Sequence, residues 1–402
     1  YMPCSGGLFP LFRKLTHSPI FYAIFLHTGR LQYGRFHKRL LIMASIATLA
    51  NSMATMVTFF FPQSVQASKS DWGMTDMETA TLTASVFFGN AIGTIFVALA
   101  GDRLGRRVSF LACAMIATLC GFASGVAPSY TILLALRMGV GFGLGGTYAP
   151  FYAVAEWCPS ARKGHALLKL SLAWSVGTFL TPIVAWATID QAENWPLLLF
   201  ICSAPSVVSF VVGIFYLPES PRWLMGKGQS DLALALMRDA AVVNHQDPWL
   251  VAPQAAHLMR GGKTKSKWKA VGRLFRKEWR RMILCLIPTF LVVDFLYYSY
   301  VQLIHMAISD TDGNEDQFAF FEIALTSFAE FFGVIFALSM IGKAGRVPTQ
   351  AVGYFGGGLT ILGVCLGRHF EAGTGTSAAT SFLFYLAFIS RFLIYAAVST
   401  TW

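Results

Sequence analysis

The sequence predicts an all-α polytopic membrane protein, with a six-helix N-terminal bundle followed by four further spans. Three observations carry this prediction. The 402 residues are 55% hydrophobic and include 35 Phe, with a mean hydropathy of +0.56. A water-soluble fold cannot hide that much apolar surface, because its exterior must be wetted and only 13% of this chain is charged. The apolar residues gather into ten runs of about 20 residues, the length of helix that crosses the hydrocarbon core of a bilayer. Finally, the basic residues segregate to alternate loops.

The ten runs lie at about 40–61, 79–100, 107–128, 131–153, 166–188, 196–217, 281–304, 318–341, 349–367 and 379–402. One such run could be a buried core helix; ten in series make a membrane protein. The first six form one bundle over residues 40–217, preceded by a tail at 1–39. A loop at 218–280 separates them from spans seven to ten, at 281–402. When loops are assigned to alternate sides, about 26 of the 31 Lys and Arg fall on the side of the N-terminus. The positive-inside rule therefore places the N-terminus and the long loop in the cytoplasm. The net charge of +11 is a topology signal, and its distribution argues against a nucleic-acid partner.

Within the long loop, Leu232, Leu234, Leu236, Met237 and Val242 predict one helix. The basic stretch KTKSKWKAVGRLFRKEWRR follows. It reads either as a solvated collar or as an amphipathic segment whose Trp268, Leu274 and Phe275 touch an anionic leaflet. Seven scattered Cys without CxxC spacing give neither a disulfide framework nor a metal site. No nucleotide-binding P-loop or redox motif occurs, so no cofactor is expected.

Charge inside or between spans is scarce enough to be informative. Gly101-Asp102-Arg103-Leu104-Gly105-Arg106-Arg107 joins spans two and three, and Gly342-Lys343-Ala344-Gly345-Arg346 joins spans eight and nine, six spans later. Arg137 in span four has a counterpart in Arg391 in span ten. Such spacing predicts two related halves.

The first of these loops resembles the signature of the major facilitator superfamily, Gly-x-x-x-Asp-Arg-x-Gly-Arg-Arg, with Ala98 where the first Gly would stand. Three further segments support the resemblance. They are the glycine-rich run from Arg137 to Gly146, the loop Ala155-Glu156-Trp157-Cys158-Pro159 with Ala161-Arg162-Lys163-Gly164, and Leu217-Pro218-Glu219-Ser220-Pro221-Arg222-Trp223-Leu224. Sugar porters carry paired Gln and an Asn in the seventh helix, and phosphate porters an Asp in the fourth; neither is present, and Thr147 stands at the latter place. The nearest similarity is to the synaptic-vesicle-2-related group beside the organic cation and anion transporters. It rests on Tyr297-Tyr298, on the run from Ser327 through Glu330 to Gly333, and on Arg391. Two departures concern coupling: Asn51 and Ala54 replace first-helix acids of that group, and the second loop has Ala344 and Lys343 where an Asp is expected. The resemblance implies twelve spans, so the chain, which runs from Tyr1 into Trp402, is expected to be C-terminally truncated.

A charge within a span usually faces protein or a water-filled cavity. Asp294, Tyr297, Tyr298 and Gln302 share one helical face, and His305 extends the stripe. Asp294 either binds a cationic group or a proton in a cavity, or is an acid held by Tyr hydroxyls. On span eight, Glu330 follows Thr326 and the more peripheral Glu322. It is expected to pair with a basic group, Arg137 or Arg391. Asn51, Asn90 and Trp174 are cavity candidates through the resemblance, or else ordinary interhelical contacts. The resemblance further assigns gating or structural roles to Asp102, Arg103, Arg106, Arg107, Glu156, Arg162, Glu219 and Arg222.

The expected function is secondary transport of a small, charged organic solute by alternating access, coupled to protons or another ion. The competing expectation is a scaffold or receptor that keeps the fold without transport, favoured by the missing first-helix acids. A channel is a weaker third, because nothing resembles a filter.

Overall fold

The computed structural model describes residues 31–67, 74–189, 194–248, 277–309, 320–371 and 377–401. Every regular element among them is a helix. The first half comprises α1 (Arg35–Ala67), α2 (Asp76–Leu104), α3 (Arg106–Ser124), α4 (Tyr130–Gly146), α5 (Ala149–Trp157), α6 (Ser160–Ile189) and α7 (Trp195–Tyr216). Two linker helices follow, α8 (Pro221–Gly226) and α9 (Ser230–Val243). The second half holds α10 (Lys277–Ser309), α11 (Phe320–Ile341), α12 (Arg346–Glu371) and α13 (Ser377–Thr401). With α4 and α5 counted as one, ten described stretches are long and apolar enough to cross a membrane, matching the ten runs in the sequence. Their outer faces are oily: Val347 and Phe355 of α12 are each 75% exposed, as suits side chains that meet lipid rather than water.

Local chemistry sets the helix ends. Thr75 opens α2 through a reciprocal capping box with Glu78, which satisfies two backbone donors that have no partner within the helix. Between α2 and α3 the chain turns on a single residue, Gly105, whose φ of 100° is unfavourable for any side chain. Gly345, φ 85°, marks the corresponding joint between α11 and α12. Gly101 does not share in the turn; it is buried within α2. The fourth span breaks at Thr147 and Tyr148, after two glycines and just before Pro150, which lacks an N–H to continue the helical ladder.

Small residues govern packing inside each half. Gly89 and Gly93 of α2 lie against the backbone of Met138 and Phe142, while Gly141 and Gly145 of α4 lie against the backbone of Val86, Asn90 and Gly93. The glycines interlock, so the two helices approach without side chains between them. In the second half Gly333 of α11 lies against the α13 backbone at Phe392 and Ala396. The halves meet mainly where α6 packs on α11, with Phe179 between Phe328 and Phe331 at ring distances of 5.6 and 6.2 Å. The predicted loop helix is α9, which buries Leu234 and Met237 and leaves Leu232 and Val242 exposed. Most of the basic stretch after it, up to residue 276, lies outside the described residues.

Candidate functional site

A cavity of about 620 Å³ lies between the halves. Asn51 of α1, Phe87 and Asn90 of α2, Tyr148 in the α4–α5 break and Trp174 of α6 wall one side. Asp294, Tyr297 and Tyr298 of α10 and Tyr395 of α13 wall the other. Asn51, Asn90, Trp174, Asp294, Tyr297 and Tyr298, scattered through the sequence, therefore line one space. The side chains of Gln302, His305 and Glu322 lie outside the described residues.

Asp294 is exposed toward this cavity and has no hydrogen bond or ion pair among the described residues. Tyr hydroxyls do not hold it in the way the sequence allowed. Tyr297, 5% exposed, instead accepts from Trp174 Nε1 at 3.1 Å and donates to Glu330 Oε1 at 3.1 Å. Tyr298 packs its ring on Phe87 and Phe59, at 5.1 and 6.0 Å. The cavity thus combines aromatic walls with one carboxylate that has no ion pair among the described residues.

Beside the cavity two intramembrane charges neutralise each other. Arg391 Nε donates to Glu330 Oε1 at 3.0 Å, with the two side chains 2% and 0% exposed. Thr178 donates to Glu330 Oε2 at 2.7 Å, and Arg391 Nη1 donates to Thr326 at 3.4 Å. The sequence left two partners open for Glu330. Arg391 is the one, while Arg137 stays within the first half and donates to Ser124 Oγ at 3.1 Å and the Gly121 carbonyl at 3.4 Å. Two hydrogen bonds of this network, Trp174 to Tyr297 and Thr178 to Glu330, cross from one half to the other.

At the loop ends a second cluster forms. Glu219 accepts from the backbone N–H groups of Arg106 at 2.7 Å, Arg107 at 3.4 Å and Ser220 at 3.0 Å. A carboxylate is favoured there because the first N–H groups of α3 point outward and carry partial positive charge. One acid thereby ties the 101–107 loop to the 217–224 loop. Trp223 Nε1 adds a bond to the Asp102 carbonyl at 3.0 Å, and Arg107 Nη2 one to the Ile214 carbonyl at 2.5 Å. Arg106 lies 3.9 Å from Asp102, Ser220 Oγ donates to Glu156, and Arg162 sits 5.4 Å from the Tyr33 ring. Arg103 is exposed. Beside them burial raises the Tyr33 hydroxyl above its ordinary value and pushes the Cys158 thiol up to about 11. A cavity of about 480 Å³ opens here, lined by Arg106, Glu156, Lys163 and Arg222. It shares Thr94, Tyr148 and Tyr152 with the central one, so the two adjoin.

Residues 43–397 match the family described as Sugar (and other) transporter. The chain belongs to this family. Its members are transporters rather than enzymes, and their architecture is that of the major facilitator superfamily. Organic cation/carnitine transporter 7 of Arabidopsis thaliana is 27% identical over 363 residues, covering 79% of this chain and 71% of that protein. Synaptic vesicle 2-related protein of Rattus norvegicus is 25% identical over 361 residues, covering 84% of this chain and 63% of that protein. The chain thus spans about two thirds of the length of these relatives, which belong to the group its motifs resemble. The fold matches that of the E. coli proton:xylose symporter XylE, a major facilitator protein, with a TM-score of 0.65. That match has 17% identity and covers 92% of this chain and 86% of that one.

In this family member, several residues at the cavity and its network escaped the sequence reading. Tyr148, Phe87 and Tyr395 look like ordinary aromatics of apolar runs, and Thr178 like an ordinary span hydroxyl. Tyr148 alone carried a signal, because it follows Gly145-Gly146-Thr147 and precedes Pro150, a pattern that breaks a helix.

Proposed function

We propose that this protein is a secondary transporter for a small organic solute bearing a cationic group, working by alternating access between its two halves. The observation that carries the reading is Asp294: a carboxylate aimed into an aromatic-walled cavity, without a protein counter-charge among the described residues. A purely structural acid is expected to resemble Glu330, buried and fully bonded. A carboxylate left open in a low-dielectric cavity is poised to be matched by a cation that comes and goes, either the solute or a coupling proton. The Glu330–Arg391 pair and its two cross-half hydrogen bonds serve as the contact against which the halves move. The Glu219 cluster braces the loop ends. The basic face, with the N-terminus and the linker, faces the cytoplasm by the positive-inside rule.

The test is uptake of labelled organic cations, anions and neutral solutes into proteoliposomes containing the purified chain, at several pH values, alongside Asp294→Asn. Uptake of a cation that falls at least about tenfold in Asp294→Asn is the expected result. Uptake unchanged by the substitution removes Asp294 from the site. Absence of uptake for the whole panel favours the second reading, a membrane scaffold or receptor. Asn51 supports that alternative. It stands where the resemblance expects an acid, and its side chain meets neutral partners, Thr55 of its own helix at 3.4 Å and Tyr148 in the α4–α5 break.

A further inference from the structure

His37 lies in the first turn of α1, 1% exposed, and takes no part in either cavity. Its Nε2 is 3.1 Å from the carbonyl oxygen of Trp157. A carbonyl only accepts, so Nε2 must carry the hydrogen. Its Nδ1 receives the backbone N–H of Gly34 at 3.3 Å and lies 3.3 Å from the amide nitrogen of Asn244. Both of those groups only donate, so Nδ1 must be bare. The surroundings therefore accept one form of the ring, neutral with a single tautomer.

Asn244, at the end of α9, completes the grip. Its Oδ1 accepts from the Phe36 N–H at 2.9 Å, and its Nδ2 donates to the Gln32 carbonyl at 3.0 Å. Gln246 Oε1 accepts from the Gln32 N–H at 3.0 Å. Any side chain at Gly34 would collide with Asn244. The Tyr33 ring stacks on the imidazole at 5.3 Å, and Phe36 meets it edge-on. The titratable and charged groups on the elements packed here are Tyr33, Arg35, Lys38 and Arg39 at the start of the first span, Tyr152 and Glu156 of α5, Cys158, Arg162 and Lys163 beyond it, Asp231, Arg238 and Asp239 of α9, and His245 and Asp247 after it. Among the described residues none of them bonds to the imidazole; Glu156 is engaged by Ser220 and Arg162 by Tyr33. Among the described residues no carboxylate is bonded to the ring to receive a second proton.

We propose that His37 and Asn244 form a proton-sensitive clasp between the start of the first span and the helix of the linker that joins the two halves. A proton on Nδ1 sets an N–H against two other N–H donors. The contacts to Gly34 and Asn244 then break, and the end of α9 is released from residues 32–37. Acid on this face thus acts on the connection between the halves rather than on the cavity. Histidine is suited to the task because its ordinary titration lies near pH 6.5.

Hydrogen exchange on the full chain in lipid nanodiscs tests the clasp, read on peptides over residues 31–38 and 240–248 and corrected for intrinsic pH dependence. Protection is expected to fall severalfold, up to about tenfold, between about pH 7.5 and about 5.5, because the released imidazole titrates near its ordinary pH 6.5. His37→Gln keeps one acceptor and one donor but cannot titrate, so its protection should vary less than about twofold. Asn244→Asp sets a carboxylate beside Nδ1 and should reverse the sign, with protection rising in acid. A flat wild-type profile, or a fall retained in His37→Gln, overturns the proposal. If His37→Gln does not fold, Asn244→Asp decides: loss of protection in acid, as in the wild type, overturns it equally.

Discussion

The Glu330–Arg391 pair shows how much one residue can carry in this fold. Both side chains are removed from solvent, so either charge alone would be left uncompensated in a low-dielectric interior. Arg391→Leu should therefore destabilise the protein by about 3–5 kcal/mol, seen as a large drop in the detergent unfolding temperature. Adding Glu330→Gln should recover much of that loss. It removes the stranded charge while leaving an oxygen for Tyr297 and an amide for Thr178. If the double variant costs the sum of the two single variants, the pair is not energetically coupled. Glu330, Arg391 and Asp294 were legible in the sequence because a charge stands out in an apolar run. Thr178 was not, because span hydroxyls commonly bond back to a carbonyl in the preceding turn, as Thr181 does to Gly177 and Thr188 to Val184. A hydroxyl that reaches across to another helix looks the same in sequence as one that does not.

At the level of elements, helix number and position followed from apolar run length, since lipid requires every backbone group to be satisfied within the segment. Partners were harder to read. Glycines in a span permit close helix approach, but whether α2, α3 or α1 comes close to the fourth span depends on which face each glycine occupies after packing. The structure distinguishes glycines that the sequence treats alike. A Cβ on Gly141 would strike the backbone of Val86 and Asn90, which cannot move aside as a side-chain tip can, whereas one on Gly358 of α12 meets nothing within 4 Å. Gly141→Ala should thus cost about 1–3 kcal/mol through forced separation of α2 and α4. Gly358→Ala should be neutral or stabilising by about 0.5–1 kcal/mol, because alanine restricts the unfolded chain and favours the helix. Thermal unfolding of the two variants side by side checks both signs. Equal losses would mean that the interlocked glycines are not what sets the α2–α4 distance.

Across the whole molecule, the central cavity is closed unequally at its two ends. Toward one face Phe59, Phe87 and Tyr298 converge, with ring distances between 5.1 and 6.0 Å, and they come from α1, α2 and α10. Toward the other face the cavity adjoins the space lined by Arg106, Lys163 and Arg222. A small hydrophilic reagent should therefore reach the cavity from the basic face and be stopped at the aromatic cluster from the opposite one. Ala91 and Ser299 both line the cavity and belong to different halves, so a cysteine at either position reports on access. The exposed Cys285 and Cys365 must first be replaced by alanine so that they do not contribute. In sealed vesicles of each orientation, a charged thiol reagent should label Ala91→Cys and Ser299→Cys at least about tenfold faster from the basic face. Phe87→Ala should raise labelling from the opposite face by thinning the aromatic cluster. Equal labelling from both faces in the parent protein would mean that the aromatic cluster does not close the cavity on that side.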